Sequence, residues 1–265
     1  MMNEVVMSEQ CPEVDVSRDG AIQIIRLQRP ERKNALTHAM YTAINEALHA
    51  GENDKQVRVH LITGTEDCFT AGNDMGDFLQ NPPVGDDSPV MLFLDTLRTL
   101  EKPLLAAVNG PAVGVGTTML LHCDLVYLGR SARLQMPFVN LGLCPEAGSS
   151  LLLPLLMGHQ RAAELLMLGE TIDAGRALDF GIANAVYDDH HYQEKALHEA
   201  RRLAAQPPAS VRLTKAFLKA PVRDQLKEQM AQEGKEFVAR LSSPEAREAM
   251  QAFMEKRKPD FSGFE

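Results

Sequence analysis

Cysteine is scarce in this chain of 265 residues, and the four cysteines that occur are scattered without a CxxC or CxxH spacing. Disulfide frameworks and zinc sites need several such ligands at short, regular intervals. The sequence therefore predicts reduced thiols in a cytoplasmic protein, with no disulfide frame and no metal site. The cysteines are Cys11, Cys68, Cys123 and Cys144.

Positive charge is in deficit. The chain has 27 lysines and arginines against 36 aspartates and glutamates, which gives a formal net charge of −9. Proteins that bind nucleic acids or anionic membranes in general carry the opposite balance. The composition argues against both as partners, although a local basic site for a small anionic ligand is compatible with it.

An unbroken apolar run of membrane-spanning length is missing. The uncharged stretch 103–121 is nearly long enough to cross a bilayer, but Pro111, Gly110, Gly114 and Gly116 interrupt it. We interpret it as a buried strand, a tight loop and a buried helix. The first ten residues also lack the basic and apolar regions of a signal peptide, so the sequence predicts no membrane partner.

Several well-known ligand and nucleophile motifs are absent. The glycine-bearing loop 109–116 lacks the third glycine of a dinucleotide fingerprint, because Met119 occupies that position. The chain has no Gly-Lys-Ser/Thr of a phosphate-binding loop and no Gly-x-Ser-x-Gly elbow of a serine hydrolase. These absences argue against bound nucleotides and serine hydrolysis, and we predict no separate cofactor.

Strand and helix patterns alternate along the first two thirds of the chain, and only helical patterns follow. Such an order is typical of an α/β fold with an appended helical part. We predict a core over residues 1–189 and a C-terminal helical module over residues 190–265. The main predicted elements are a hairpin over 14–27, strands over 57–63, 104–109 and 185–187, and helices over 37–49, 88–100, 115–123 and 171–180.

One carboxylate stands out in the apolar, glycine-punctuated stretch 140–153. Glu146 is the only acidic residue between Asp124 and Glu164. A carboxyl group among apolar neighbours is desolvated, which raises its pKa and suits it to proton transfer. The alternative is a glutamate exposed at a turn or at a helix N-terminus, where negative charge is also favourable.

Two glycine-bearing loops, residues 69–74 and 109–116, are candidates for binding a negatively charged oxygen. Glycine-rich turns expose backbone N–H groups, and two such groups aimed at one point form an oxyanion hole. The alternative is that each loop is an ordinary tight turn.

These segments occur in a specific order. Arg29-Pro-Glu-Arg-Lys-Asn-Ala-Leu36 is followed by Phe69-Thr-Ala-Gly-Asn-Asp74, Ala106-Ala-Val-Asn-Gly110, Cys123-Asp124 and Ala252-Phe-Met-Glu-Lys-Arg-Lys258. From about residue 14 to residue 258 the chain resembles the enoyl-CoA hydratase/isomerase (crotonase) superfamily. The resemblance implies a crotonase-like spiral of ββα units with a C-terminal helical trimerisation module, assembled as a homotrimer or a dimer of trimers.

The resemblance also implies an acyl-CoA thioester as substrate, with CoA as part of the substrate. The backbone N–H groups of Asn73 and Val115 would hold the thioester carbonyl. Phe253 and Lys256 would reach the nucleotide end of CoA; the alternatives are a core phenylalanine and a solvated lysine. For Met75, Phe78 and Leu79, expected along the acyl chain, the alternative is ordinary helix packing. The other residues expected along CoA, the carbonyl and the acyl chain are Arg29, Lys33, Ala35, Ala71, Gly72, Asp74, Gly114, Thr118, Phe138 and Leu141.

The resemblance distinguishes between reactions as well. Hydratases of this superfamily use two glutamates to activate water, and their positions fall on Thr118 and Phe138 here. Glu146 instead matches the base of the Δ3,Δ2-enoyl-CoA isomerases of the peroxisomal type. We therefore expect a single-glutamate shuttle that moves a 3-enoyl-CoA double bond to the 2-position.

Other functions stay open at this stage. They are an enoyl-CoA hydratase of the same fold, a non-catalytic acyl-CoA-binding member, and a peptidase that shares the spiral fold. A peptidase would need a serine–histidine pair that the sequence does not place. Cys144 lies near Glu146 as a conceivable nucleophile, although a small packing residue is the simpler interpretation. The adjacent His190 and His191 read as a surface turn in preference to metal ligands.

Overall fold

The computed structural model describes residues 11–83, 85 and 87–264. The side chains of Leu79 and Phe253 lie outside the described part, so their expected contacts stay predictions. The strands are β1 Val14–Asp19, β2 Ile22–Leu27, β3 Val59–Thr63, β4 Leu104–Val108, β5 Pro111–Val113, β6 Leu125–Gly129, β7 Arg133–Gln135, β8 Ile172–Asp173 and β9 Ala185–Tyr187.

Helices surround these strands. The α-helices are α1 His38–Asn53, α2 Met75–Gln80, α3 Pro89–Thr99, α4 Val115–Thr118, α5 Ser149–Met157, α6 His159–Ala163, α7 Ala174–Asp179, α8 Tyr192–Ala204, α9 Pro208–Lys219, α10 Arg223–Leu241 and α11 Pro244–Met254. Short 3-10 segments cover Pro30–Arg32, Met119–His122, Val139–Leu141 and Ala220–Val222, and a π-helical turn covers Glu164–Leu168.

The larger sheet has the strand order β1-β2-β3-β4-β6-β9. β1 and β2 form the predicted antiparallel hairpin, with Val14 opposite Leu27, and every later pair in this sheet is parallel. All residues of β3 and β4 are buried, because helices cover both faces of a parallel sheet. A second, smaller sheet has the order β5-β7-β8. The predicted α/β fold is confirmed.

The first helix follows its sequence signals. The Thr37 hydroxyl accepts a hydrogen bond from the N–H of Met40 (3.3 Å) and caps α1. Met40, Ile44 and Leu48 are buried at helical spacing, and α1 packs against α3. This apolar stripe is part of the main hydrophobic core.

Two predicted helices differ in extent. The helix expected over 115–123 is α-helical only to Thr118 and then tightens into a 3-10 segment. The helix expected from Thr171 begins at Ala174, with the Asp173 side chain as its cap. Ile172 and Asp173 instead pair with β7 as a strand. Because of this pairing, α7 begins after the strand, at Ala174.

The C-terminal region is helical, as expected. Tyr192, Ala196 and Ala200 of α8 pack with buried residues of β2, β3, β4 and β6 in one core cluster. α11 lies against the segment before Glu146, and a Cβ on Gly142 would meet the Ala246 nitrogen at 2.6 Å. The division at residues 189 and 190 stays a prediction. Within the described ranges no helix is long and apolar enough to cross a membrane.

Candidate active site

The two glycine-bearing loops lie side by side. Thr70 and Ala112 form an isolated parallel bridge. The Thr70 N–H donates to the Pro111 carbonyl (3.0 Å), and the Val113 N–H donates to the Thr70 carbonyl (3.0 Å). Gly72 has a φ of +87°, and a Cβ there would approach the Val113 oxygen to 2.8 Å. Glycine is therefore required where the loops meet.

Asn73 and Val115 lie close in sequence to this contact: Asn73 directly follows Gly72, and Val115 comes two residues after Val113. The bridge from Leu36 uses the Gly72 carbonyl and the Asp74 N–H, at 2.8 Å each, so the N–H of Asn73 faces the opposite side. Val115 is the first residue of α4, after Gly114 with a φ of +57°. Within the described part of the chain, neither N–H donates to a protein acceptor. Both residues line one cavity.

That cavity has a volume of about 480 Å³ and a largely apolar wall. Methionine, phenylalanine and leucine side chains come from α2, α3, α10 and α11. Among the described lining residues, Glu146 is the one with an ionisable side chain. The residues expected from the sequence that line this space are Ala71, Gly72, Asn73, Met75, Phe78, Gly114, Val115, Phe138, Leu141 and Glu146.

Glu146 is buried, with 9% of its surface exposed. Burial raises the pKa of its carboxyl group to about 8, and the charge of Glu233 adds to the rise, while the Thr118 hydrogen bond opposes it. The next two residues, Ala147 (φ +58°) and Gly148 (φ +71°), are left-handed. This conformation strains a non-glycine residue such as Ala147, and strained residues cluster at functional sites.

A proton-transfer group and two free N–H donors thus face one apolar space. Such a site is suited to an acyl substrate whose carbonyl oxygen gains negative charge. Residues 17–264 match the family model for enoyl-CoA hydratase/isomerase. The chain belongs to the enoyl-CoA hydratase/isomerase family. The expected family membership is confirmed, and the crotonase fold is shared with its structural neighbours.

The proteins similar to the chain include some that are named for different reactions. The solved structure of Pseudomonas aeruginosa OdaA is 51% identical, with a TM-score of 0.90 and coverage of 92% of this chain and 99% of that one. Escherichia coli 2,3-dehydroadipyl-CoA hydratase is 32% identical over 95% of this chain and 99% of its own length. Human enoyl-CoA delta isomerase 2 is 33% identical over 92% of this chain and 63% of its own length.

The positions expected for the two glutamates of the family's hydratases carry no acid. Phe138 is buried in the cavity wall and packs edge-on to Phe237, with ring centroids 6.3 Å apart. Thr118 is fully buried, and its hydroxyl donates a hydrogen bond to the Glu146 carboxyl. Thr118 thus contacts the candidate base, and its expected place along the substrate stays a prediction. Thr118 is the fourth residue of α4, and nothing in the local sequence indicates that its hydroxyl contacts Glu146.

The residues expected along CoA fall into two groups. Arg29 donates to Asp74 (2.7 Å) and to the Ala35 carbonyl (2.9 Å), and the other oxygen of Asp74 caps α2. These contacts hold the loop next to Asn73. Lys33 and Lys256 are exposed and do not line the cavity. Their role at CoA stays a prediction.

Other chemistry finds less support. Burial raises the pKa of the Cys144 thiol, which disfavours the thiolate that a nucleophile requires. His190 and His191 are exposed. Within residues 11–83, 85 and 87–264, no group of three histidine, cysteine, aspartate or glutamate side chains would hold a metal ion.

Proposed function

We propose that this chain is an enoyl-CoA isomerase that converts a 3-enoyl-CoA thioester to the 2-enoyl isomer. The proposal rests on one observation. Among the described residues that line the cavity, Glu146 is the one with an ionisable side chain, and Asn73 and Val115, whose N–H groups are free, line the same cavity. The carboxylate would take a proton from C2 of the substrate. The dienolate oxygen would rest between the two N–H donors, and Glu146 would return the proton to C4.

The pKa of Glu146 suits this shuttle. A group with a pKa of about 8 is a competent base near neutral pH and, once protonated, a competent acid. Hydration would also need an activated water, for which the family's hydratases use two carboxylates. Neither Thr118 nor Phe138 supplies a carboxylate, and the Phe138 ring makes the space apolar. The proposed reaction requires no metal or separate cofactor.

A thioester assay tests the reaction type. Because a conjugated thioester absorbs where the 3-enoyl isomer does not, 3-enoyl-CoA is expected to give a rise in absorbance. A 2-enoyl-CoA substrate is expected to keep its absorbance. Rapid loss of that absorbance would identify a hydratase instead. Binding of both thioesters without turnover would identify a non-catalytic acyl-CoA-binding protein.

The pH dependence of kcat/KM is expected to report the Glu146 carboxyl. Burial raises its pKa to about 8, so the protonated, inactive base predominates below that pH. Activity is therefore expected to increase with pH and to level off above about pH 8, since kcat/KM follows the free enzyme's ionisations. A profile that is already flat from about pH 6 upward would mean that a carboxyl with an ordinary pKa is the base.

We also propose an oligomeric assembly and a cytoplasmic location for this protein. Leu213, Phe217 and Leu218 of α9 are exposed apolar side chains, which suit a subunit contact in a homotrimer or a dimer of trimers. The cytoplasmic location rests on the reduced-thiol interpretation of the scattered cysteines.

A further inference from the structure

Helix α10 places a carboxyl group on its buried face. Leu226, Met230, Glu233 and Phe237 recur at helical spacing, and Glu233 is only 6% exposed. Charged side chains are seldom buried to this degree unless they are paired. Among the described ion pairs within 4 Å, none involves Glu233, so its partners must be neutral donors.

Those donors belong to the turn that follows Glu146. One Glu233 oxygen accepts from the Gly148 N–H (2.6 Å), and the other accepts from the Ser150 N–H (3.1 Å) and the Ser150 hydroxyl. Gln229 donates to the same Ser150 hydroxyl oxygen (2.9 Å). Burial raises the pKa of the Glu233 carboxyl, and these hydrogen bonds oppose that rise because they favour the ionised group.

This arrangement replaces a missing cap. The N-cap position of α5 is Gly148, which has no side chain to accept from the first N–H groups. Glu233 accepts from them across more than eighty residues of sequence. On the other side of the turn, the Ser149 N–H (3.0 Å) and hydroxyl (2.6 Å) donate to the Glu146 carbonyl. The main chain after Glu146 is thus fixed at both ends.

We propose that Glu233 is a positioning residue for the base: by capping α5 from α10, it fixes the turn that directs the Glu146 carboxyl into the cavity. The proposal rests on the proposed isomerase function for the role of Glu146. Met230 and Phe237 on the same helix line the cavity, so one helix supports both the acyl wall and the base.

Titratable groups approach Glu146 from three elements. Glu233 comes from α10, and its charge adds to the rise that burial causes in the pKa of Glu146. Tyr41 comes from α1; its own pKa is raised well above the usual value, first by burial and then by the Glu146 charge. His122 holds the Ala147 carbonyl (2.7 Å), and burial lowers the pKa of His122 to about 4. His122 is therefore neutral, and among these three groups the charge of Glu233 is the one that adds to the effect of burial on the pKa of Glu146.

Glu233→Gln tests both consequences, with Glu228→Gln on the exposed face of α10 as the matched control. Glutamine keeps one acceptor oxygen, but its NH2 group replaces the other and faces a donor that needs an acceptor. We expect kcat to fall about 10- to 100-fold through misplacement of the base, with KM little changed. We also expect the pH midpoint of kcat/KM to move to lower pH, because a negative neighbour is lost. The control should alter neither.

Glu233→Asp separates position from charge and serves if the glutamine variant does not fold. It is expected to lower kcat while the pH midpoint stays closer to that of the wild type. A Glu233→Gln variant that is folded and keeps both kcat and the pH midpoint would overturn the proposal, as would identical effects of Glu228→Gln.

Two measurements decide the proposal without turnover. Carbon-13 NMR of labelled glutamate, assigned by Glu146→Gln, should show a lower Glu146 pKa in Glu233→Gln, and the Gly148 and Ser150 amides should exchange faster. If the wild type isomerises no thioester but both changes appear, the function is wrong and the positioning stands. If the wild type isomerises but neither change appears, the positioning is wrong and the function stands.

Discussion

Replacing Glu146 with glutamine is expected to lower kcat for isomerisation by about 10²- to 10⁴-fold, the range that a positioned acid–base group contributes. Glutamine keeps the shape and the Thr118 contact but cannot accept a proton from carbon. Because burial places the Glu146 pKa at about 8, the wild-type group is mostly neutral at pH 7. The neutral replacement is therefore expected to leave the unfolding temperature and the affinity for acyl-CoA nearly unchanged.

Steady-state kinetics, ligand titration and thermal unfolding check these expectations. Glu170→Gln, at an exposed glutamate, provides the control for the loss of one carboxylate. A Glu146→Gln protein with wild-type turnover would show that a different group moves the proton. Loss of folding would instead indicate that the carboxyl is structural.

Val115→Pro is expected to reduce kcat by about 10²- to 10³-fold, the effect of deleting one oxyanion-hole donor. Proline removes the backbone N–H, and the first helical position accommodates its ring geometry. The preceding residue is Gly114, which tolerates the restriction that proline imposes on its neighbour. The substitution therefore removes a donor with little disturbance of α4.

The matched variant is Val115→Ala, which trims the same side chain but keeps the N–H. Turnover of Val115→Ala is expected to stay near the wild-type value, while both variants should retain similar unfolding temperatures. Equal rates for the proline and alanine variants would exclude this N–H from stabilising the enolate.

Much of the fold could be predicted because its signals are local. The Asp19-Gly20 turn predicts the hairpin, the Thr37 hydroxyl predicts the start of α1, and the apolar runs predict β3 and β4. The candidate base could also be located, because a lone carboxylate in the apolar stretch around Glu146 is visible in the sequence.

The contacts that organise the site could not be predicted in the same way. Thr118 and Glu146 are 28 residues apart, and Gly148 and Glu233 are 85 apart. Nothing in the local pattern joins such pairs, since side-chain hydrogen bonds between distant segments form only once the helices pack. One signal for Glu233 existed: it interrupts the apolar stripe of Leu226, Met230 and Phe237 with a charge.

The wall of the cavity has an evolutionary consequence. The proposed carbonyl donors are main-chain groups fixed by the β5 contact, whereas the acyl wall consists of side chains, including Met75, Met91, Met230 and Met250, supplied by separate helices. Methionine side chains are unbranched and adapt to differently shaped neighbours. Mutations in these helices would alter which acyl groups are accepted without displacing the donors, so substrate preference is free to diverge while the reaction centre is inherited intact.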